Sequence, residues 1–257
     1  MGTGPGAFGG VNGPSIIFQF DNVPLFGTIY ITETLVIGWI IVAALSALVL
    51  WLTHGMKRIP TKKQVIAEML VTTVNNMVRD NMGPRFVKGY APYIATLFSF
   101  SIVGSLVSLL GLRSMTADVN ATLAWGLICF VMITYSKFKY GGGLKGYIKG
   151  FAEPLPVMFP MNVLSEFVTP ISMGFRHFGN IAGGMVITGL IYWALANLSY
   201  TLHLYFTVGE FSLGVLQVGI PAVLSVYFDL FSGFMQAFIF SMLTMANVGN
   251  CIPDDKR

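Results

Sequence analysis

The chain has 257 residues, 54% of them hydrophobic and only 10% charged, with a formal net charge of +4. Soluble domains carry about 25% charged residues, and several apolar tracts here exceed the roughly 20 residues that cross a bilayer. A soluble enzyme is thereby excluded, and so is a nucleic-acid binder, because the basic residues fall in loops between the apolar tracts.

The opening residues 1–30 form an extracytoplasmic segment in this reading, and residues 31–257 form one membrane domain. The Gly-rich start has no basic stretch leading into a short apolar core, so neither a cleaved signal peptide nor a transit peptide is expected. Gly6 stands where the N-myristoylation pattern needs Ser or Thr. The first crossing is ITETLVIGWIIVAALSALVLWLTHGM, at about 31–56. A basic stretch broken by Pro60 follows, then an amphipathic segment at about 64–82 with Val65, Met69, Val74, Met77 and Val78, the pattern of an interfacial helix. Further crossings are predicted at about 91–112 and 119–136, followed by the flexible basic loop SKFKYGGGLKGYIKGFAEPLP, 136–156. Two apolar tracts close the chain, at about 161–200 and 210–250, separated by a turn near SYTLHLYFTVGE.

Each closing tract is close to twice the length needed. A continuous 40-residue helix is about 60 Å long against a hydrocarbon layer of about 30 Å, so each tract either breaks or lies steeply tilted. The spacing therefore predicts an all-α polytopic membrane protein: about five crossings and an interfacial helix, ending in a long, strongly tilted helical hairpin at about 161–250. Of 15 Lys and Arg, seven lie in 57–90, four in 137–149 and two at 256–257. By the positive-inside rule, these loops are cytoplasmic, which puts the N-terminus outside and the C-terminus in the cytoplasm.

Three charged residues fall well inside the closing tracts: Glu166, Arg176 and Asp229. An arginine at the centre of a membrane helix costs about 2.5–3.5 kcal/mol on insertion scales, so Arg176 marks either an ion path or a counter-ion. At 100° per residue, Thr169, Ser172, Asn180 and Gly183 lie within about 40° of Arg176, while Glu166 is about 80° from it. Ser225, Asp229 and Gln236 share a face of the last tract. Ser172, Thr169 and Gly183 read equally well as interhelical packing positions, and Asp229 as an ion-pair partner for Arg176. His177, turned away from the stripe, reads as structural, as do His54 and His203 at the interfaces. Cys129 and Cys251 lack metal-ligand spacing and read as buried thiols. No metal site is expected, and no phosphate-binding loop is present. A transporter, a channel and a part of an ion-driven machine all remain open on these grounds.

SEFVTPISMGFRHFGNIAGG resembles the most recognisable region of subunit a of F-type ATP synthases. Four more stretches match that family in order: YAPYIATLFSFSIVGSLVSLLGL, TADVNATLAWGL, YIKGFAEP and FDLFSGFMQAFIFSMLTM. The resemblance implies a non-catalytic, ion-translocating stator subunit of a bacterial plasma membrane, needing no cofactor of its own. Its implied partners are the rotating c-ring, the subunit b peripheral stalk and the rest of the synthase. It places the functional arginine at Arg176, its polar neighbours at Ser172 and Asn180, the carboxylate of the cytoplasmic access path at Glu166 and the last-helix glutamine at Gln236. Asp229 falls where some members carry His or Glu. Many relatives have an ionisable residue nine positions after the arginine, but this chain has Met185. That departure leaves Asp229, with Glu210 near the outer mouth, to serve the outer side. The alternative is a stand-alone transporter or channel in which Arg176 binds an anionic substrate.

Overall fold

A computed structural model describes residues 15–23, 27–140, 143–152, 155–208, 211–218 and 220–252. It begins with an antiparallel hairpin of β1 (Ile16–Val23) and β2 (Gly27–Thr32), where the sequence suggested no element. The hairpin feeds α1 (Glu33–Thr53), followed by α2 (Lys62–Met82), α3 (Val87–Leu106) and α4 (Val119–Tyr140). The segment read as a flexible loop contains a further helix, α5 (Gly143–Phe151). Its three glycines argue against helix on propensity, and aromatic packing offsets that: Tyr147 stacks on Phe138 at 4.6 Å and meets Phe151 edge-on at 4.8 Å.

The first closing tract is one unbroken helix, α6 (Phe159–Thr201), of 43 residues. At 1.5 Å per residue it is about 65 Å long, so it crosses a bilayer only at a steep slant or with ends that project. The turn after it is a short hairpin of β3 (Tyr205–Val208) and β4 (Phe211–Gly214). The second closing tract is helical in shorter segments. It comprises α7 (Val215–Val218), α8 (Ile220–Tyr227), a π-helical stretch at Phe228–Ser232, and α9 (Gly233–Gly249). Among the described residues, five helical spans are long and apolar enough to cross a membrane: Glu33–Thr53, Pro84–Leu110, Val119–Tyr140, Pro156–Thr201 and Asp229–Gly249.

The core lies where α2, α3, α4, α6 and α9 converge, around Val78, Ile94, Trp125, Met173, Phe240 and Met245. Lipid tails are as apolar as leucine, so close backbone approach rather than water exclusion must hold such helices together. Glycines make that approach possible. A Cβ on Gly126 of α4 would lie 2.5 Å from the Pro170 carbonyl oxygen of α6, and one on Gly174 would lie 2.9 Å from the Thr122 carbonyl oxygen. Gly233 and Gly249 bring α9 equally close to Ser105 and to the Asn81 backbone. The amphipathic α2 buries Val78 and Met82 against this core and leaves Val65 and Met69 exposed. Its C-terminal half is thus part of the bundle, while its N-terminal half presents an apolar face outward.

Candidate functional site

α6 carries the site, and its two halves border different cavities. The first, of about 510 Å³, is lined by Asn162, Ser165, Glu166 and Thr169 of α6 with Lys137, Tyr147, Asn247, Asn250 and Cys251. Glu166 is its focus. The Lys137 ammonium donates to Glu166 Oε2 at 2.6 Å and the Tyr147 hydroxyl donates to Oε1 at 3.1 Å. The Glu166 side chain is only 1% exposed, whereas that of Lys137 is 34% exposed. A carboxylate so deeply buried is tolerable because it is paired and hydrogen-bonded. Burial, the neighbouring Glu166 charge and the hydrogen bond to it all push the Tyr147 phenol up, so it stays a donor. Burial likewise raises the Cys251 thiol, against a smaller opposing effect of Lys137.

The second cavity, of about 580 Å³, borders the other half of α6 at Met185, Thr188, Gly189 and Tyr192. Ser15, Glu33, Ser108, Arg113 and Asp229 complete its polar lining. Asp229 reaches it from the π-helical stretch, whose extra residue per turn offsets the register of the last tract. Asp229 and Gln236, which share a face in a regular helix, therefore part company. Asp229 lines the cavity, half-buried, while Gln236 is buried in the bundle beside His177. Glu210 lies outside the described residues.

From Thr169 at the edge of the first cavity to Met185 at the edge of the second is about 24 Å along α6. Arg176 sits near the middle of that interval and lines neither cavity. It lies on an exposed face of α6 with Ser172 and Asn180, flanked by exposed Phe175 and Ile171. The polar stripe seen in the sequence is thus a strip of open helix surface. Gly179 and Gly183 beside it would meet nothing within 4 Å if they carried a Cβ. Among the described residues, Lys137–Glu166 is the ion pair within the closing bundle. Arg176 and Asp229 do not pair with each other, which removes the counter-ion reading. On the opposite side of α6, His177 is fully buried, 3.3 Å from the Ser101 hydroxyl and edge-on to Trp125 at 5.4 Å. It is a packing residue, as its turn away from the stripe suggested.

Residue patterns brought Glu166, Arg176 and Asp229 to notice, but not the partners the fold gives them. By sequence alone Lys137 is one loop charge among several, Tyr147 falls in a Gly-rich stretch, and Glu33 falls at the start of the first crossing. A buried carboxylate is itself the missing signal, since it obliges some cation and donor to approach.

Comparison with known proteins decides the family. The profile described as ATP synthase A chain matches residues 35–248. The chain belongs to the ATP synthase A chain family. The sodium ion specific ATP synthase subunit a of Propionigenium modestum is 32% identical over 240 residues, covering 87% of this chain and 75% of that protein. ATP synthase subunit a 2 of Bradyrhizobium sp. (strain BTAi1 / ATCC BAA-1182) is 33% identical over 203 residues, covering 79% and 89% respectively. As a family member the chain is an ion-transporting membrane subunit of an ATP synthase complex. The matched region holds the whole of α6 and both cavities apart from Ser15, Glu33 and the last residues of the first.

Proposed function

We propose that this subunit carries H⁺ or Na⁺ to and from the membrane carboxylates of a rotating c-ring through two separate half-channels. The observation that carries this reading is the placement of Arg176. It stands on an exposed helix face between two polar cavities and opens into neither. The positive-inside pattern makes the Glu166 cavity the cytoplasmic half-channel and the Asp229 cavity the outer one. It also orients the N-terminus outward and the C-terminus toward the cytoplasm of a bacterial plasma membrane.

The way along α6 from one cavity to the other passes the Arg176 guanidinium, so ions board the ring and leave after a turn. A fixed guanidinium facing the ring favours the ionised form of each carboxylate that passes it, through the attraction of opposite charges. It also repels a cation that would slip directly between the half-channels. Arginine suits this because it stays protonated even when partly desolvated. Ser172 and Asn180 extend the polar strip to either side, and the bare surface at Gly179 and Gly183 allows a ring helix to come close. Each elementary charge moved through 100 mV supplies about 2.3 kcal/mol, so several ions must pass for each ATP. The ATP chemistry lies in other subunits, with the subunit b stalk holding this one against rotation.

A stand-alone transporter needs its arginine inside a substrate cavity, and Arg176 is on open surface instead. The discriminating experiment introduces cysteine at Asn180 and at Leu127, which is exposed on α4, and oxidises the complex purified in mild detergent. Small hydrophobic ring subunits carrying an engineered cysteine should co-purify and cross-link from position 180 but not from 127. Purification without any ring, or equal cross-linking from both positions, contradicts the reading.

A further inference from the structure

A third cavity lies apart from the ion path, between the start of α3 and the end of α4. At about 850 Å³ it exceeds both cavities described above. Its lining includes Arg85, Tyr90, Tyr93, Met132, Tyr135 and Lys139, none of which the proposed function uses. We propose that it holds the headgroup of an anionic phospholipid of the cytoplasmic leaflet, with the phosphate bound by Arg85 and Lys139.

The cations stand at headgroup depth. Arg85 is next to the first residue of the span Pro84–Leu110, and Lys139 is next to the last residue of Val119–Tyr140. The Tyr90 and Ser136 hydroxyls meet at 3.0 Å and the Phe86 and Tyr140 rings at 5.3 Å, so the two helices run antiparallel here. Both cations therefore lie at the same membrane face, which the positive-inside rule makes cytoplasmic. Among the described residues neither has a carboxylate within salt-bridge distance. The Lys139 ammonium instead lies 5.4 and 5.6 Å from the ring centres of Tyr135 and Tyr140, which hold it at the cavity mouth. Basic pockets between membrane helices on this side suit lipid phosphates, and arginine can offer two N–H donors to one phosphate.

The lining changes with depth as a phospholipid does. Tyr93 lies about 9 Å beyond Val87 along α3, and Met132 about 10 Å before Lys139 along α4. The Tyr93 hydroxyl is buried with no hydrogen-bond partner among the described residues. Buried polar groups are rarely left so, and an ester carbonyl below the phosphate supplies the acceptor it lacks. Tyr135, Val131 and Leu127 are all exposed at successive turns of α4, an apolar track along which an acyl chain can lie. A free phosphate would use the two cations and neither of these features.

The test uses the assembled complex in phosphatidylcholine vesicles with a minor share of photoactivatable phosphatidylglycerol, and reads the label on α3 and α4 peptides by mass spectrometry. Unlabelled phosphatidylglycerol should displace the label, whereas added phosphatidylcholine and inorganic phosphate should not. Arg85→Gln combined with Lys139→Gln should weaken labelling at least about tenfold, the lower side of what one hydrogen bond to a charged group contributes. Arg58→Gln combined with Lys62→Gln removes the same charge from exposed positions outside the cavity and should leave labelling unchanged. Tyr93→Phe keeps both cations and should weaken labelling about fivefold, the share of one neutral hydrogen bond. Parental labelling in the Arg85 and Lys139 double variant overturns the proposal. An equal loss in the control pair does so too, since diffuse surface charge would then explain it. Displacement by inorganic phosphate would make this a free-phosphate site, and a Tyr135→Cys variant that cross-links to another subunit would show a protein covering it; either result contradicts a lipid occupant.

Discussion

Removing the Lys137 ammonium tests whether the cytoplasmic cavity is built as described. Lys137→Met keeps the length of the side chain and takes away the charge 2.6 Å from Glu166 Oε2. Breaking a fully buried pair by deleting one partner costs about 3–5 kcal/mol, because the remaining charge is stranded. Lys137 is 34% exposed while Glu166 is 1% exposed, so water already screens one end of the pair. The Tyr147 hydrogen bond to Oε1 also survives the change. We therefore expect a destabilisation of about 1–3 kcal/mol, below the fully buried range and above the 0.2–1 kcal/mol of a surface pair. Equilibrium unfolding of the full chain in mixed micelles should measure it as a double-mutant cycle with Glu166→Gln. In that cycle the double variant should be nearly as stable as Glu166→Gln alone, since a neutral amide no longer needs the ammonium. Additivity of the two single effects to within about 0.5 kcal/mol would refute the argument, because the two groups would then not interact.

Gly126→Val should stop the subunit accumulating in the membrane, since its Cβ would lie 2.5 Å from the Pro170 carbonyl oxygen and overpacking of that kind costs about 1–3 kcal/mol or more. Gly179→Leu, at a position where a Cβ meets nothing within 4 Å, should accumulate normally in immunoblots of membranes yet pump poorly, because its side chain stands where the ring approaches. Tyr147→Phe should destabilise the chain by about 1.5–3 kcal/mol, the range for a hydrogen bond to a charged group. Because the phenol is pushed above its usual value of 10.0 by burial and by Glu166, its contribution is fully present below that value. It is lost only as pH rises through the raised one, so the gap between parent and variant should stay constant from neutral pH to mild alkali in the same unfolding assay.

The parts of this structure visible in the sequence are those where physics penalises a residue type at a position. Arg176 in an apolar tract stands out for its cost, and the helical period alone lines it up with Ser172 and Asn180. The five crossings follow from tract length; of the two long closing tracts, α6 is one unbroken helix, while the last tract is helical only from Val215 and carries a π-helical stretch. Long-range pairing left no such mark. Lys137 and Glu166 are 29 residues apart, and nothing local distinguishes Lys137 from its neighbour Lys139. The π-helical stretch at Phe228–Ser232 obeys no simple residue rule, yet it decides which side chains of the last tract reach a cavity. The hairpin β1–β2 was hidden for another reason. Apolar residues such as Ile17, Phe18 and Phe20 run on both of its faces, all exposed, so the alternation that announces a half-buried strand is missing.

The claim that most needs testing is that Arg176 separates two half-channels and acts on the ring. The direct measurement compares Arg176→Ala with the parent in assembled complexes in sealed vesicles, recording ATP-driven ion uptake and, separately, passive ion leak under an imposed potential. Loss of pumping with intact assembly, and leak equal to or greater than that of the parent, is the predicted result. A variant that pumps near the parental rate would contradict it and make Arg176 a structural residue.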